Sequence, residues 1–185
     1  MSGLGTSFGF GACTNFPRDL TNSDCVLVMG SNMAESHPVA FLWPTLAQQA
    51  GATLIHVDPR YTRTSAAADV HVTIRPGTDL AFLGGIVRYI LAHDRHFAEY
   101  VVHYTNAATI LSPDYAFDAE QGVFAGYDAA SRKYDLLPHA WDYVMELDAE
   151  GRPWRPKVDP TLQDPNCVFQ VLKRHFDPYT PEKVA

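Results

Sequence analysis

The sequence predicts an α/β fold, in the form of a Rossmann-like, doubly wound parallel sheet. Three short runs rich in apolar and β-branched residues predict the strands, at residues 25–29, 53–57 and 70–74. Segments of helical composition lie between and after these runs. The first strand, a helix and the second strand follow one another within about 35 residues, which is typical of a right-handed crossover unit.

The first predicted strand is the apolar run CVLVM at residues 25–29, which Gly30 closes. A continuous apolar run of this kind is typical of a parallel strand that is buried on both faces. We therefore expect Cys25 to serve core packing, and Cys167, in an apolar helix, to do the same. Residues 30–37 (GSNMAESH) form the loop after this strand, where sheets of this class bind ligands.

A helix and a second strand follow the first loop. Residues 38–50 have helical composition, with a proline, Pro44, that should interrupt or kink the helix. The second strand, residues 53–57 (TLIHV), is rich in β-branched residues and is followed by Asp58. A histidine within it, His56, is expected to be packed or satisfied locally.

A third strand and the clearest helix of the chain come next. One or two helical turns at 62–68 lead to the strand VHVTI at 70–74. Residues 79–93 place apolar side chains at helical spacing, and residues 97–104 continue as a shorter helix. The pattern up to this point is strand, helix, strand, short helix, strand and helix.

The character of the sequence changes at about residue 112. Aromatic residues alternate with acids and turn formers over residues 112–163, which predicts an irregular excursion with a hairpin at 141–154 that turns at Glu150 and Gly151. Asp164 and Pro165 then predict the start of a helix that runs through residues 166–176. We expect residues 1–111 to be a dinucleotide-binding domain, residues 112–163 the excursion and residues 164–185 a helix that completes the domain. A second start signal at 180–182 suggests that the sequence is cut at its end.

Composition excludes several classes of function. The formal net charge is -7, with 21 acidic and 14 basic residues and no basic stripe, which argues against a nucleic-acid surface. No apolar stretch reaches the roughly 20 residues that a membrane span needs. The three cysteines form no C-x-x-C pair, so the sequence indicates no disulfide framework and no zinc or iron–sulfur site in this chain.

The three predicted strand ends carry residues suited to a nucleotide. Amide groups at Ser31 and Asn32 are placed to hold a phosphate, and Asp58 is placed to accept from a ribose or base. The first turn lacks the G-x-G-x-x-G pattern, which argues against an ordinary nicotinamide site. His37, at the end of the first loop, has two open interpretations: contact with cofactor phosphates or capping of the next helix.

A set of motifs resembles one protein family across nearly the whole chain. The matching stretches are GFGACTN, VMGSNMAESHP, VDPRYTRTSAAAD, IRPGTDLAFL, EYVVHYTNA, FDAEQGVFAGYD and YTPEKV. In this order they resemble the catalytic (alpha or major) subunit of the molybdenum- or tungsten-containing formate dehydrogenases, within the molybdopterin oxidoreductases. The excursion is similar to that of the larger membrane-associated or periplasmic enzymes, so the resemblance implies such a location for the parent enzyme.

The resemblance implies that this chain helps to hold a molybdopterin guanine dinucleotide, two of which surround the metal in the intact subunit. By motif match the cofactor-binding residues are Gly30, Asn32, Glu35, Ser36, Val57, Asp58, Arg60, Gly77 and Asp79. The first four would contact one dinucleotide from the first loop, the next three would hold its guanosine end, and the last two would close the other side. A carboxylate such as that of Asp58 suits the guanine edge, which presents N–H donors.

The resemblance also implies what this chain lacks. The family's catalytic selenocysteine or cysteine, with the histidine after it, and the cysteines of its 4Fe-4S cluster match positions upstream of GFGACTN, and the arginine that assists formate oxidation matches downstream. We therefore expect no catalytic residue and no metal ligand in this chain, and no formate turnover by the chain alone. Met1 would follow shortly after a selenocysteine codon, so the chain is expected to be a fragment or a reading frame that begins after that codon.

The implied partners are the remainder of the catalytic subunit, an iron–sulfur beta subunit and a membrane cytochrome subunit, with electron transfer from formate to the cluster. Two alternatives stay open. One is a stand-alone, regulatory guanine-nucleotide-binding module, although the chain has no G-x-x-x-x-G-K-[ST] phosphate loop. The other is a truncated remnant without function.

Overall fold

The structure of the chain is a computed structural model that describes residues 3–5, 9, 15–118, 120–134 and 142–185. Its contacts divide the chain into two units, Met1–Asp79 and Leu80–Ala185. Cys13, the first of the three cysteines, and Trp141, the first residue of the predicted hairpin, lie outside the described residues.

A three-stranded parallel sheet forms the centre of the first unit. Its strands are β1 (Cys25–Met29), β2 (Thr53–Val57) and β3 (Val70–Val72), in the spatial order β1-β2-β3. The last residues of the strands lie side by side, since Met29 is opposite Val57 and Val57 is opposite Val72. This confirms a mixed α/β arrangement with a parallel sheet, whereas the doubly wound, Rossmann-like form stays a prediction. The third strand is two residues shorter than the sequence predicts.

Helices lie before and between the strands of the first unit. A 3₁₀ helix (Pro17–Asn22) precedes the sheet, and the helices are α1 (Met33–Ser36), α2 (Pro38–Gln49) and α3 (Arg63–Ala67). Helices α2 and α3 follow the predicted order, whereas the 3₁₀ helix and α1 are short elements that this order does not include. Helix α2 continues through Pro44, which is buried, so the proline does not end the helix.

The first strand is buried on one face only, so the prediction of two buried faces is wrong for this chain. Val26 and Val28 pack with Leu54 of β2 and Ala47 of α2, and these four residues are the buried cluster of the unit. Leu27 is 42% exposed and Cys25 is also exposed, which corrects the expectation that Cys25 serves core packing. The reason is that α2 covers one face of the strand, and successive side chains of a strand point to opposite faces.

The second unit contains the remaining helices. They are α4 (Asp79–Ala92), whose first residue is the last of the first unit, α5 (Ala98–Tyr104), α6 (Val168–Phe176) and α7 (Pro181–Val184). Its buried cluster consists of apolar residues from α4 and α6, from the segment 107–110 and from the segment before α6, namely Leu91, Ala107, Ala108, Ile110, Leu162, Cys167 and Phe169. Cys167 is fully buried, as expected, although it precedes α6 instead of lying within it.

Two glycines of α4 allow the C-terminal segment to pack closely on that helix. A Cβ at Gly84 would lie 2.7 Å from Cδ1 of Tyr179, and one at Gly85 would lie 3.3 Å from Cγ2 of Val184. Arg88, one turn further along, donates from Nε to the carbonyl oxygen of Asp177 at 2.9 Å. The ring of Tyr179 therefore occupies the space that a side chain at position 84 would need.

The excursion contains short antiparallel pairs that the sequence does not predict. β4 (Phe117–Asp118) pairs with β5 (Val123–Phe124), and β6 (Tyr127–Asp128) pairs with β7 (Lys133–Tyr134). The predicted hairpin is confirmed: β8 (Met145–Leu147) pairs with β9 (Pro153–Pro156), and Gly151 in the turn has φ +76.

Helix α6 begins at Val168, two residues after the predicted start. The backbone just before it pairs with another segment, since Leu111 N–H donates to Asn166 at 2.9 Å and Val168 N–H donates to Thr109 at 2.9 Å. This ladder holds residues 166–168 extended, so the helix starts only after it. The start signal at 180–182 does produce a helix, α7, with Thr180 at its N-cap.

Candidate functional site

Seven of the nine predicted cofactor-binding residues lie at, or directly after, the carboxyl ends of β1 and β2. The first loop (residues 30–37, which include the short helix α1) follows β1, and the second loop (residues 58–62) follows β2. Because the strands are parallel and in register, both loops start at the same edge of the sheet. This edge is where open α/β sheets bind ligands.

Gly30 joins the first loop to the neighbouring strand. Its N–H donates to the carbonyl oxygen of Val57 at 2.9 Å, and its φ is +61, a conformation that L side chains rarely adopt. No atom of the described residues lies within 4 Å of the position that a Cβ would take, so the space beside Gly30 is open to a ligand. The side chain of Val57 is fully buried, which leaves only its backbone for any contact with a ligand.

Asn32 and Glu35 belong to a network that reaches from the first loop to α3. Asn32 donates from Nδ2 to Glu35, and its Oδ1 accepts from the hydroxyl of Thr64 at 3.1 Å. The same hydroxyl accepts from Ala34 N–H at 3.0 Å. Thr64 is fully buried and lies 32 positions from Asn32 in sequence. The network fixes the shape of the first loop from within the protein.

Glu35 also forms an ion pair with Arg63, with 3.3 Å between Oε1 and Nε. Both side chains are largely exposed, so this pair contributes little to stability. Ser36, also exposed, donates from its hydroxyl to the carbonyl oxygen of Asn32 at 2.8 Å. Glu35 and Ser36 are thus exposed side chains of the first loop, and Arg63 contacts Glu35 from α3.

Asp58 begins the second loop with a partly open carboxylate. Its side chain is 14% exposed, and Oδ1 accepts from Arg60 N–H at 2.8 Å. Its backbone N–H donates to the carbonyl oxygen of Val72 at 3.1 Å, which fixes the residue to β3. The guanidinium of Arg60 is exposed and has no ion pair within the described part of the chain. The second loop thus offers an acceptor and a free cation side by side.

Gly77 and Asp79 lie beyond β3. Gly77 has φ +84 in an exposed turn, where the hydroxyl of Thr78 donates to the carbonyl oxygen of Arg75 at 2.7 Å. Asp79 is the exposed first residue of α4. No hydrogen bond between described residues joins either of them to the first two loops, so their place beside the other seven stays a prediction.

The sequence does not predict that His56 belongs to this region through a hydrogen bond to the first loop. His56 is fully buried in β2, its Nδ1 lies 2.8 Å from Ser65 Oγ, and its Nε2 lies 3.1 Å from the carbonyl oxygen of Ser31. The expectation that His56 has a hydrogen-bond partner nearby in sequence is confirmed for Ser65, 9 positions away. The second partner, Ser31, lies 25 positions away and is not local. A polar ring in an otherwise apolar strand is the signal that points to such a network.

An open pocket of about 420 Å³ lies beside His37, at the end of the first loop. Its walls are mainly apolar and aromatic, from Phe16, Pro17, Pro38, Val39, Ala40 and Trp43. His37 is exposed and precedes α2 without a side-chain hydrogen bond to the end of that helix. The capping interpretation of His37 therefore finds no support in the geometry.

These groups fit the chemistry of a nucleotide diphosphate. Phosphate oxygens need donors, which the exposed guanidinium of Arg60 supplies. A guanine edge or a ribose hydroxyl needs an acceptor, and the carboxylate of Asp58 has oxygens to spare after its one bond to Arg60 N–H. The open space beside Gly30 allows a ligand to approach the backbone.

Within the described residues no three His, Cys, Asp or Glu side chains group as ligands for a metal ion. No helix in the described ranges is both long and apolar enough to cross a membrane.

Residues 3–96 of the chain match the family model described as molybdopterin oxidoreductase. The chain is 48% identical over its full length to the Formate dehydrogenase 2 subunit alpha (cytochrome c-553) of Nitratidesulfovibrio vulgaris and 46% identical to the nitrate-inducible Formate dehydrogenase major subunit of Escherichia coli. It spans 17% of the length of each of these curated relatives. A further match, at 35% identity over 62% of the chain and 18% of the relative, is the F420-dependent formate dehydrogenase 1 subunit alpha of Methanococcus maripaludis.

Proposed function

Because the chain belongs to the molybdopterin oxidoreductase family, we propose that it forms part of the binding site for a molybdopterin guanine dinucleotide in the catalytic subunit of a formate dehydrogenase. The observation that carries this proposal is the similarity of the whole chain to formate dehydrogenase alpha and major subunits, at 44–48% identity. The donors and acceptors at the ends of β1 and β2 support it, since they suit a guanine nucleotide.

Each predicted residue has a proposed role in binding. The first loop, through Gly30, Asn32, Glu35 and Ser36, contacts the phosphates and the pterin side of one dinucleotide. Asp58 accepts from the guanine edge, while Arg60 donates to phosphate and Val57 contributes its backbone. Gly77 and Asp79 close the other side of the site. When bound, the cofactor's molybdenum or tungsten centre supplies two-electron redox chemistry, and this chain supplies binding and orientation.

The wider organisation is part of the same proposal. Residues 1–111 would belong to a Rossmann-like, doubly wound dinucleotide-binding domain that the excursion (112–163) interrupts and residues 164–185 complete. The names of the relatives, subunit alpha and major subunit, support a complex with further subunits. We propose an iron–sulfur subunit as electron acceptor and a membrane cytochrome subunit beside it, with the parent enzyme periplasmic or membrane-associated.

The isolated chain is not expected to oxidise formate, because the residues proposed above bind and orient a cofactor and none of them is a redox group or an acid or base of the reaction. Incubation of the purified chain with formate and an electron-accepting dye checks this expectation. Dye reduction by the chain alone would contradict it.

Thermal unfolding of the chain with and without GDP tests the binding proposal. A ligand that binds only the folded state stabilises it, by about 2.7 kcal/mol at 100 times its dissociation constant. We expect GDP to raise the melting temperature and ADP to raise it less. The reason is that adenine lacks the ring N–H group from which Asp58 is proposed to accept a hydrogen bond. The substitution Asp58→Asn should reduce the difference between GDP and ADP.

Two results would contradict the proposal. Equal stabilisation by GDP and ADP in the wild-type chain would contradict the proposed role of Asp58 in guanine recognition. A cooperative unfolding transition whose midpoint no guanine nucleotide shifts would contradict the whole proposed site. The absence of any cooperative transition would favour the alternative of a remnant that does not fold.

A further inference from the structure

His56 is held by hydrogen bonds to both of its ring nitrogens. It lies in the central strand β2 with 0% of its surface exposed. Nε2 is 3.1 Å from the carbonyl oxygen of Ser31 in the first loop, and Nδ1 is 2.8 Å from Ser65 Oγ in α3. A buried ring with these two partners links the loop after β1 to the helix after β2.

The partners determine where the ring hydrogen is. The carbonyl oxygen of Ser31 can only accept, so Nε2 carries a hydrogen and donates it. Ser65 Oγ already accepts from Thr62 N–H at 2.8 Å, and its own hydrogen is available to Nδ1. The neutral imidazole with its hydrogen on Nε2 therefore satisfies every group in the network.

The bond to Ser31 also fixes the direction of the next amide. The carbonyl of Ser31 and the N–H of Asn32 belong to one planar trans peptide, in which the two groups point in opposite directions. Since the carbonyl points at His56, the N–H of Asn32 points away from it. None of the hydrogen bonds between described residues uses the Asn32 N–H as a donor.

We infer that His56 is a positioning residue, which turns the Ser31–Asn32 peptide so that the N–H of Asn32 is presented to a phosphate oxygen of the nucleotide. This inference rests on the proposed function, because it concerns the same ligand. It goes beyond that function in assigning a role to a buried residue that makes no contact with ligand. Asp58 Oδ2 is 4.0 Å from Nε2, too far for a hydrogen bond, so the ring donates to the loop and leaves that oxygen for the ligand.

Two substitutions separate the role of Nε2 from the role of ring volume. In His56→Gln the side-chain amide reaches the place of Nε2 and can donate to Ser31, whereas the shorter side chain in His56→Asn reaches only the place of Nδ1. His71→Gln is the matched control. His71 lies in β3 with its ring centroid 5.7 Å from that of His56. Its Nε2 has no hydrogen-bond partner among the residues that the structure describes, so its loss breaks no described bond to the first loop.

Heteronuclear NMR of the isotope-labelled chain gives two readouts. The first is the ring nitrogen of His56 that carries the hydrogen, which we expect to be Nε2. The second is the response of the Asn32 amide signal to added GDP. We expect this response in the wild type, His56→Gln and His71→Gln, and a dissociation constant for GDP about tenfold higher in His56→Asn, as the loss of one oriented donor predicts.

Each outcome decides a stated point. A hydrogen on Nδ1, or an Asn32 response in His56→Asn equal to that of the wild type, would overturn the inference alone. Equal loss in His56→Gln and His56→Asn would assign His56 to packing only, which also overturns it. If no amide in the first loop of the wild type responds to GDP, the proposed function fails as well. If His56→Asn does not fold, Ser65→Ala replaces it: without the donor to Nδ1 the ring hydrogen is free to move there, and the Asn32 response should weaken.

Discussion

Replacement of Thr64 by valine is the sharpest test of the network that shapes the first loop. Valine keeps the volume and the branched Cβ of threonine but removes the hydroxyl, which donates to Asn32 at 3.1 Å and accepts from Ala34 N–H at 3.0 Å. Thr64 is fully buried, so no water replaces the lost group at that position. The substitution therefore leaves one acceptor and one donor of the first loop without a partner.

The expected loss follows from those two bonds. Each hydrogen bond contributes about 0.5–1.5 kcal/mol net, and a donor or acceptor left unpaired costs more when it is buried. Asn32 and Ala34 are half-buried, so water reaches them in part and the two losses together should come to about 2 kcal/mol. With a urea dependence of about 2 kcal/mol per molar, the unfolding midpoint should fall by about 1 M.

Urea unfolding that is monitored by Trp43 fluorescence, in a chain where Trp43 is the single tryptophan, reports on the first unit. Thr45→Val is the matched control, because the hydroxyl of Thr45 only donates back to the Phe41 carbonyl of its own helix at 2.9 Å. We expect the control to change the unfolding free energy by less than about 0.5 kcal/mol. If Thr64→Val costs no more than Thr45→Val, the network does not stabilise the first loop.

Two further predictions concern the second unit. The Thr161 hydroxyl and the N–H groups of Asp164, Thr161 and Gln163 lower the pKa of Asp159 from 3.8 to about 2. Because this pKa is lowered on folding, the stabilisation is present above pH 3.8 and is lost as the pH falls toward about 2. The free energy of unfolding should therefore fall less steeply across this pH window in Asp159→Asn than in the wild type. An unchanged slope would contradict the assignment. Gly84→Ala should destabilise the chain by about 1–3 kcal/mol, because its Cβ would lie 2.7 Å from the Tyr179 ring. In Gly85→Ala the Cβ would lie 3.3 Å from the side chain of Val184, so this variant should be neutral or stabilising through the higher helix propensity of alanine. Thermal unfolding of both variants checks this pair, and equal effects would show that the Tyr179 contact does not limit position 84.

Local sequence patterns predicted most of the elements of this chain. The apolar runs at β1 and β2 and the helical spacing in α4 are confirmed within a residue at each end. Short-range chemistry determines such features: the period of apolar side chains, prolines at helix starts and a glycine in the hairpin turn at Gly151. The edge at which the first two loops start also follows from sequence, because parallel strands with short connections place those loops side by side.

Burial and long-range hydrogen bonds required the tertiary structure. The apolar run of β1 predicts two buried faces and does not show that α2 covers only one of them. Leu27 and Cys25 lie on the other face and are exposed. The partners of Thr64 and His56 lie 32 and 25 positions away in sequence, and no local pattern identifies them. The start of α6 depends on a ladder with residues 109–111, which is likewise formed between distant segments.

The sequence by itself determined the family, the order of strands and helices, and the residue types available to a nucleotide at the sheet edge. Only the tertiary structure decided which of those residues already have partners within the protein: Asn32 and Glu35 are engaged with each other, whereas Arg60 has no ion pair among the described residues. The physical reason is that side-chain type limits what a residue can donate or accept, while its partner depends on which segments the fold brings within hydrogen-bond distance.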